Sequence, residues 1–404
     1  MANPLVRVLG AVGIAGGVVG AAALGGVTAQ RRAVRRYRQS SMDGEADGYG
    51  SLAADRTYSV AADDGVVLAV EEVGPVDAPL TVVFAHGWTL RAGSWHFQRY
   101  ALAHPVGDDT GPAVRLVFYD QRSHGRSTRA EAGHSTMADL AGDLAQVLAT
   151  AAPDGPVVIV GHSMGGMALL TLAGRDPGYF THRVAGIGLI STSATALRQA
   201  ELSRLLVAGS TSIVKLISAT VARYPTLIER SRAGSRDAAW LLTRALGFAR
   251  RDIPAALVDY LDEMISGTPV DVIADFTPAL LGLDALAALP ALAELPALVA
   301  CGDADRLTPV RRSEALAAAL PDSELVVVPG AGHMAIMEAP EPIDEGLDRL
   351  IIRAARRAGL VAPDARPDPA RTRTVPVERV RVPVDPTAVD HAPVDRAVSD
   401  EEHR

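Results

Sequence analysis

Six short apolar runs punctuate the chain: Leu80 to Ala85, Val114 to Tyr119, Val157 to Val160, Val184 to Ile190, Ala297 to Ala300 and Leu325 to Val328, each bounded by Gly, Pro, Asp or Ser. Continuous apolar runs of that length mark strands covered on both faces, as in parallel sheets. Parallel neighbours cannot be joined by a tight turn and need a crossover. Helix-period segments fall between several runs, notably Met137 to Ala151 and Val310 to Ala319. The alternation predicts an α/β architecture, a mostly parallel twisted sheet with helices on both faces. Ahead of it, Thr57 to Val60 and Val66 to Val73 flank Asp63-Asp64-Gly65, a hairpin-turn signature. One interval breaks the rhythm. From about residue 194 to 295 no comparable strand occurs, and the amphipathic runs Leu202 to Ala222 and Ala238 to Ala249 take its place. We read 194–295 as a helical lid inserted into a core made of residues 55–193 and 296–357.

The two ends of the chain read differently. From Val8 to Ala29 no residue is charged, a stretch long enough to span a bilayer, although glycine and alanine dilute its hydropathy. Arg7 precedes it and Arg31, Arg32, Arg35, Arg36 and Arg38 follow it, so the positive-inside bias directs the downstream chain to the cytoplasm. Residues 1–38 are thus expected to be a membrane anchor with an Arg-rich flank, making a single-pass membrane protein with its folded domain in the cytoplasm. The competing reading is a signal segment cleaved near Ala29, after the small residues Val27-Thr28-Ala29, with export of the remainder. Residues 39–54 read as a flexible tether, and 363–404, rich in Pro, Val, Asp and Arg without either period, as a disordered tail.

The net charge of −8 argues against a nucleic-acid-binding surface as the main role. Cys301 is the only cysteine, which excludes an intramolecular disulfide and a Cys-based zinc site. The ten histidines show no H-E-x-x-H spacing, and neither a metal nor an organic cofactor is expected.

The chemistry concentrates at Gly161-His162-Ser163-Met164-Gly165, directly behind one apolar run and directly ahead of a helix-like stretch. Strand, sharp turn and helix together force a serine into an elbow that presents its hydroxyl, and the turn crowds the positions two before and two after it, which suits glycine. Over residues 55–357 the chain resembles the α/β-hydrolase superfamily, in which nucleophile, acid and base follow in that order. The resemblance implies Ser163 as nucleophile, Asp305 in Cys301-Gly302-Asp303-Ala304-Asp305 as the acid, with Asp303 its rival, and His333 in Gly330-Ala331-Gly332-His333-Met334 as the base. It also implies an oxyanion hole formed by the backbone N–H groups of Met164 and of Trp88 in His86-Gly87-Trp88. Asp120-Gln121-Arg122-Ser123-His124-Gly125-Arg126-Ser127 is similar to the family's D-x-R-G-x-G-x-S segment, with Ser123 where glycine is commoner. His86, His124 and His162 are read as bracing residues and Cys301 as a packing residue, while Met334 and Trp95 are candidate pocket residues.

These features lead us to expect a serine hydrolase of carboxylic esters. The aliphatic insertion, with Trp240, Phe248 and Phe276 as its large aromatics, favours an apolar or lipid-like acyl or alkyl group over a sugar or nucleotide; the competing reading is that these residues pack on the core. The expected partners are a small-molecule ester or lipid and, through the N-terminal segment, the membrane. H-G-W with G-x-S-M-G-G also resembles cofactor-free haloperoxidases and perhydrolases, which gives a second reading on the same triad. A third is a non-catalytic, membrane-tethered binding scaffold.

Overall fold

The computed structural model describes residues 30–39, 48–104, 112–197 and 236–361. Eight strands make one sheet: β1 (Arg56–Ala61), β2 (Val67–Val73), β3 (Leu80–Ala85), β4 (Val114–Tyr119), β5 (Val157–His162), β6 (Val184–Ile190), β7 (Ala297–Gly302) and β8 (Ser323–Val328). Their order is β1-β2-β4-β3-β5-β6-β7-β8. β1 and β2 form the expected hairpin, β2 pairs antiparallel with β4, and every other pairing is parallel. All six apolar runs are strands. β5 and β7 each extend two residues past their run because Gly161 and His162 pair with Leu189 and Ile190, and Cys301 and Gly302 with Val327 and Val328.

The helices are α1 (30–39), α2 (His96–Ala103), α3 (Met137–Ala151), α4 (Met164–Arg175), α5 (Pro177–Arg183), α6 (Arg236–Gly247), α7 (Ala255–Gly267), α8 (Val270–Leu281), α9 (Leu289–Leu292), α10 (Val310–Ala319), α11 (Ala335–Glu338) and α12 (Pro340–Arg357). A capping box starts α3, with the Asp139 N–H donating to Thr136 Oγ1 at 3.1 Å and the Thr136 N–H to Asp139 Oδ2 at 3.0 Å. Strand alternation divides the core into two faces. Val83, Ile159 and Val299 pack with Leu140 and Leu144 of α3, Leu169 of α4 and Leu316 of α10. Val82, Phe84, Val158 and Leu298 pack on the other face with Leu102 of α2 and Leu347 and Leu350 of α12. The mostly parallel α/β architecture expected from the alternation is therefore the one observed.

Between β6 and β7 the described residues form α6 to α9 and no named strand. The run Leu202 to Ala222 lies outside the described residues.

The expected single-pass membrane localisation is overturned. Among the described residues no helix is long and apolar enough to cross a membrane. The run Val8 to Ala29, the cleavage site beside it and residues 363–404 lie outside the described residues. The Arg-rich segment that supplied the positive-inside argument forms α1, which binds protein. Val34 is buried, the Tyr37 hydroxyl donates to the Ile253 carbonyl at 2.6 Å and accepts from Arg244 Nε at 2.9 Å, and Arg38 pairs with Asp259 at 2.7 Å. Residues 48–54, at the end of the expected tether, also contact the domain. Tyr49 stacks on Tyr260 and the Gly50 N–H donates to His96 Nδ1 at 3.3 Å.

Candidate active site

β5 delivers the chain to Ser163 and α4 starts one residue later, so the serine sits at the sharpest bend between them, at φ 51° and ψ −116°. That conformation is strained for a residue with a Cβ, at a cost of order 1–3 kcal/mol. Its neighbours hold it there: the Ser163 N–H donates to the Ile190 carbonyl at 2.9 Å, and Thr192 Oγ1 donates to the Ser163 carbonyl at 2.7 Å. The two glycines are needed for different reasons. A Cβ on Gly161 would stand 2.4 Å from the Gly166 nitrogen, inside the turn itself, whereas one on Gly165 would stand 2.1 Å from the Ala85 carbonyl oxygen at the end of β3.

The expected triad comes together from three loops. His333, in the loop after β8, has Nε2 3.0 Å from Ser163 Oγ and Nδ1 2.8 Å from Asp305 Oδ2. A carboxylate only accepts, so the Nδ1 proton points at Asp305 and Nε2 is left to accept from the serine hydroxyl. Asp305, after β7, is fixed by N–H donations from Leu307 and Thr308 to Oδ1 at 2.8 and 3.0 Å, and by Thr308 Oγ1 to Oδ2 at 2.8 Å. Burial opposes ionisation of this carboxyl. The nearby His333 charge and hydrogen bond, with the Thr308 donors, outweigh burial and hold it below the ordinary carboxylate range. Asp303, the rival acid, accepts instead from the Gly330 N–H at 2.8 Å and braces the loop.

The other histidines of the site are buried braces. His162 Nε2 lies 3.1 Å from the His333 carbonyl, and burial together with the adjacent His333 charge pushes its pKa down to about 3. His86 accepts the Gln121 N–H at Nε2 (2.9 Å), and burial lowers it to about 4. His124 Nδ1 lies 2.8 Å from the Arg122 carbonyl, and burial lowers it to about 3. All three are neutral at physiological pH. Cys301 is buried, and its thiol is pushed up to about 12, mainly by that burial.

Met164 opens α4, where first-turn N–H groups have no intrahelical acceptor, and Trp88 lies in the loop after β3 beside Ser163. Gly87 lets that loop lie against the His162 ring, since a Cβ there would come 2.8 Å from His162 Nδ1. The 120–127 segment supports it from below. Asp120 accepts the N–H groups of Ala92 and Arg126 at 2.7 and 2.8 Å. Ser123 does occupy a glycine-like conformation, φ 64°, and its hydroxyl oxygen accepts from the Ala130 N–H at 3.0 Å, which stabilises the next turn.

A cavity of about 470 Å³ opens at Ser163 and His333 and is walled chiefly by Leu242, Leu246, Leu261, Ile265, Ile273 and Leu280. Met334 lines it; Trp95 does not, being fully buried against Phe84. Nor do Trp240, Phe248 and Phe276. Trp240 donates Nε1–H to Asp259 at 2.6 Å, Phe276 packs beside His124, and Phe248 is buried in the core. The apolar wall comes from aliphatic residues that the sequence reading did not name singly. Thr308, which holds Asp305, was also missed; an Asp followed three residues later by Thr is a local turn pattern that could have found it. Elsewhere, Asp64, His134 and Asp139 offer oxygen and nitrogen atoms within 4.8 Å of one another, but Arg122 already supplies the positive charge there, 2.8 Å from Asp64 and 3.9 Å from Asp139.

The model of the alpha/beta hydrolase family matches residues 82–345. A bifunctional esterase/perhydrolase of Acinetobacter calcoaceticus is 36% identical over 114 residues, 28% of this chain and 38% of that protein. A non-heme chloroperoxidase of Streptomyces lividans is 36% identical over 135 residues, 33% of this chain and 44% of that protein. The chain therefore aligns with less than half the length of either. A monoacylglycerol lipase of Mycolicibacterium smegmatis is 27% identical over 270 residues, 65% of this chain and 84% of that protein. Among solved structures, a thermophilic esterase from Thermogutta terrifontis superposes with a TM-score of 0.57 at 26% identity, over 74% of this chain and 99% of the other. With its strand order, its elbow and a family match that covers most of the sheet, the chain belongs to the alpha/beta hydrolase family.

Proposed function

We propose that this protein is a serine hydrolase that cleaves carboxylic esters with an apolar acyl or alkyl group through an acyl-enzyme on Ser163. The observation that carries this reading is the unbroken connection Asp305–His333–Ser163, at 2.8 and 3.0 Å, at the mouth of a cavity walled by aliphatic side chains. His333 takes the hydroxyl proton as Ser163 Oγ attacks the carbonyl carbon and returns it to the departing alcohol. Water then repeats the sequence and releases the acid. Asp305 keeps the imidazole in the required tautomer and stabilises its charged form. The N–H groups of Met164 and Trp88 receive the developing oxyanion, where losing one donor typically costs about 3 kcal/mol. The 194–295 insertion acts as the lid that excludes water and selects the chain. Hydrolysis of p-nitrophenyl esters of graded chain length tests the reading. Ser163→Ala is expected to lower kcat by about 10⁴-fold or more, with loss of fluorophosphonate labelling; turnover that survives the change overturns it. Because relatives named esterase/perhydrolase and chloroperoxidase share the 36% segments, the same preparations should be assayed for peracid formation from acetate and hydrogen peroxide. Halogenation of monochlorodimedone that exceeds ester turnover would favour perhydrolysis on the same triad.

A further inference from the structure

Glu338 lies five residues past His333 in the sequence, is buried at 7% exposure, and sits at the end of α11 with no cation paired to it among the described residues. Its carboxylate is spent on three backbone donors. Oε1 accepts the N–H groups of Ala249 (2.8 Å) and Arg250 (2.5 Å), and Oε2 accepts the N–H of Gly332, the residue before His333, at 2.5 Å. The first two donors follow α6, which carries cavity residues Leu242 and Leu246; the third belongs to the loop that carries the imidazole. The contact is reinforced nearby. The Met334 N–H donates to the Gly247 carbonyl at 2.9 Å, and a Cβ on Gly332 would stand 2.9 Å from that same oxygen, so the loop and the end of α6 touch backbone to backbone. Three N–H groups that share one buried side chain as acceptor are fixed in space relative to one another.

We propose that Glu338 is a positioning residue for His333, which fastens the loop carrying the base to the end of the cavity wall so that imidazole and wall are set by one carboxylate. The inference rests on the hydrolase reading above, in which His333 must meet Ser163 Oγ at hydrogen-bond distance. Glu338→Gln is the discriminating change. One amide oxygen can still accept from residues 249 and 250, while the NH₂ group then faces the Gly332 N–H, donor against donor. Per active site titrated with fluorophosphonate, and well below the melting temperature, kcat on a short p-nitrophenyl ester should fall between about tenfold and a hundredfold with KM within about twofold, as expected when a reacting group is displaced by a fraction of an ångström. A role confined to stability would lower Tm and leave kcat per titrated site unchanged, and that result overturns the proposal. The downfield proton resonance of His333 Nδ1–H provides a readout independent of turnover. It should shift in Glu338→Gln, and an unchanged resonance counts against the proposal even if the protein hydrolyses no ester tested. If Glu338→Gln does not fold, Glu338→Asp, which keeps the carboxyl group and shortens the reach by one methylene, must show the same kcat loss and resonance shift.

Discussion

At the scale of single residues, the site depends on side chains whose protonation is set by burial. Desolvation holds His86 near 4 and His124 and His162 near 3, well under the ordinary value of about 6.5. Lowered histidine values mean that the unfolded chain binds protons which the folded one refuses. Stability from these groups is complete above pH about 6.5 and is lost as pH falls toward 4, at up to roughly 4 kcal/mol per pH unit when all three contribute. Asp305 acts in a separate window. Its lowered carboxyl adds stability that is full above pH about 4 and is lost below it. The urea midpoint should thus be nearly flat from pH 8 to 7 and fall steeply between pH 6 and 5. His162→Gln, which can keep the donation to the His333 carbonyl, should remove about one proton from that slope, and a slope equal to the parent's would refute the account.

At the scale of elements, the central strands were legible because burial on both faces leaves a mostly apolar run, and α3 because its apolar residues follow the helical period. α12 was not singled out: Glu341, Asp344, Glu345, Asp348 and Arg349 dominate its composition, while Ile343, Gly346, Leu347, Leu350 and Ala354 are buried on the sheet side. α1 was read with the wrong partner. Arginines after an uncharged run satisfy a membrane pattern, yet Arg38 and Tyr37 bind α6, α7 and the segment between them. Tyr37→Phe keeps the ring against Trp240 and removes the hydroxyl bonds to Arg244 and Ile253. It should destabilise the protein by about 1–3 kcal/mol and speed amide exchange in α6 relative to β5. Unchanged exchange in α6 would show that α1 does not support it.

At the scale of the whole molecule, the cavity forms where the carboxyl ends of β3, β5, β7 and β8 meet the 236–295 segment, so the strand ends bring Ser163 and His333 and the helices bring most of the aliphatic wall. Leu246→Trp on α6 should fill part of the 470 Å³ and shift the preferred p-nitrophenyl ester toward shorter chains, with acetate turnover within about threefold of the parent; an unaltered chain-length profile would remove α6 from the substrate wall. The sequence by itself determined the α/β class, the strands of the sheet and the elbow at Ser163, because each is written in a local pattern of apolar runs and turn residues, whereas Asp305 and His333 came from the resemblance to a known family. Tertiary structure alone brought Asp305 rather than Asp303 to His333, placed aliphatic residues rather than Trp240, Phe248 and Phe276 in the cavity wall, and docked the Arg-rich segment as a helix on the domain. Those outcomes depend on which side chain faces which neighbour across long stretches of chain, and periodicity carries no information about that.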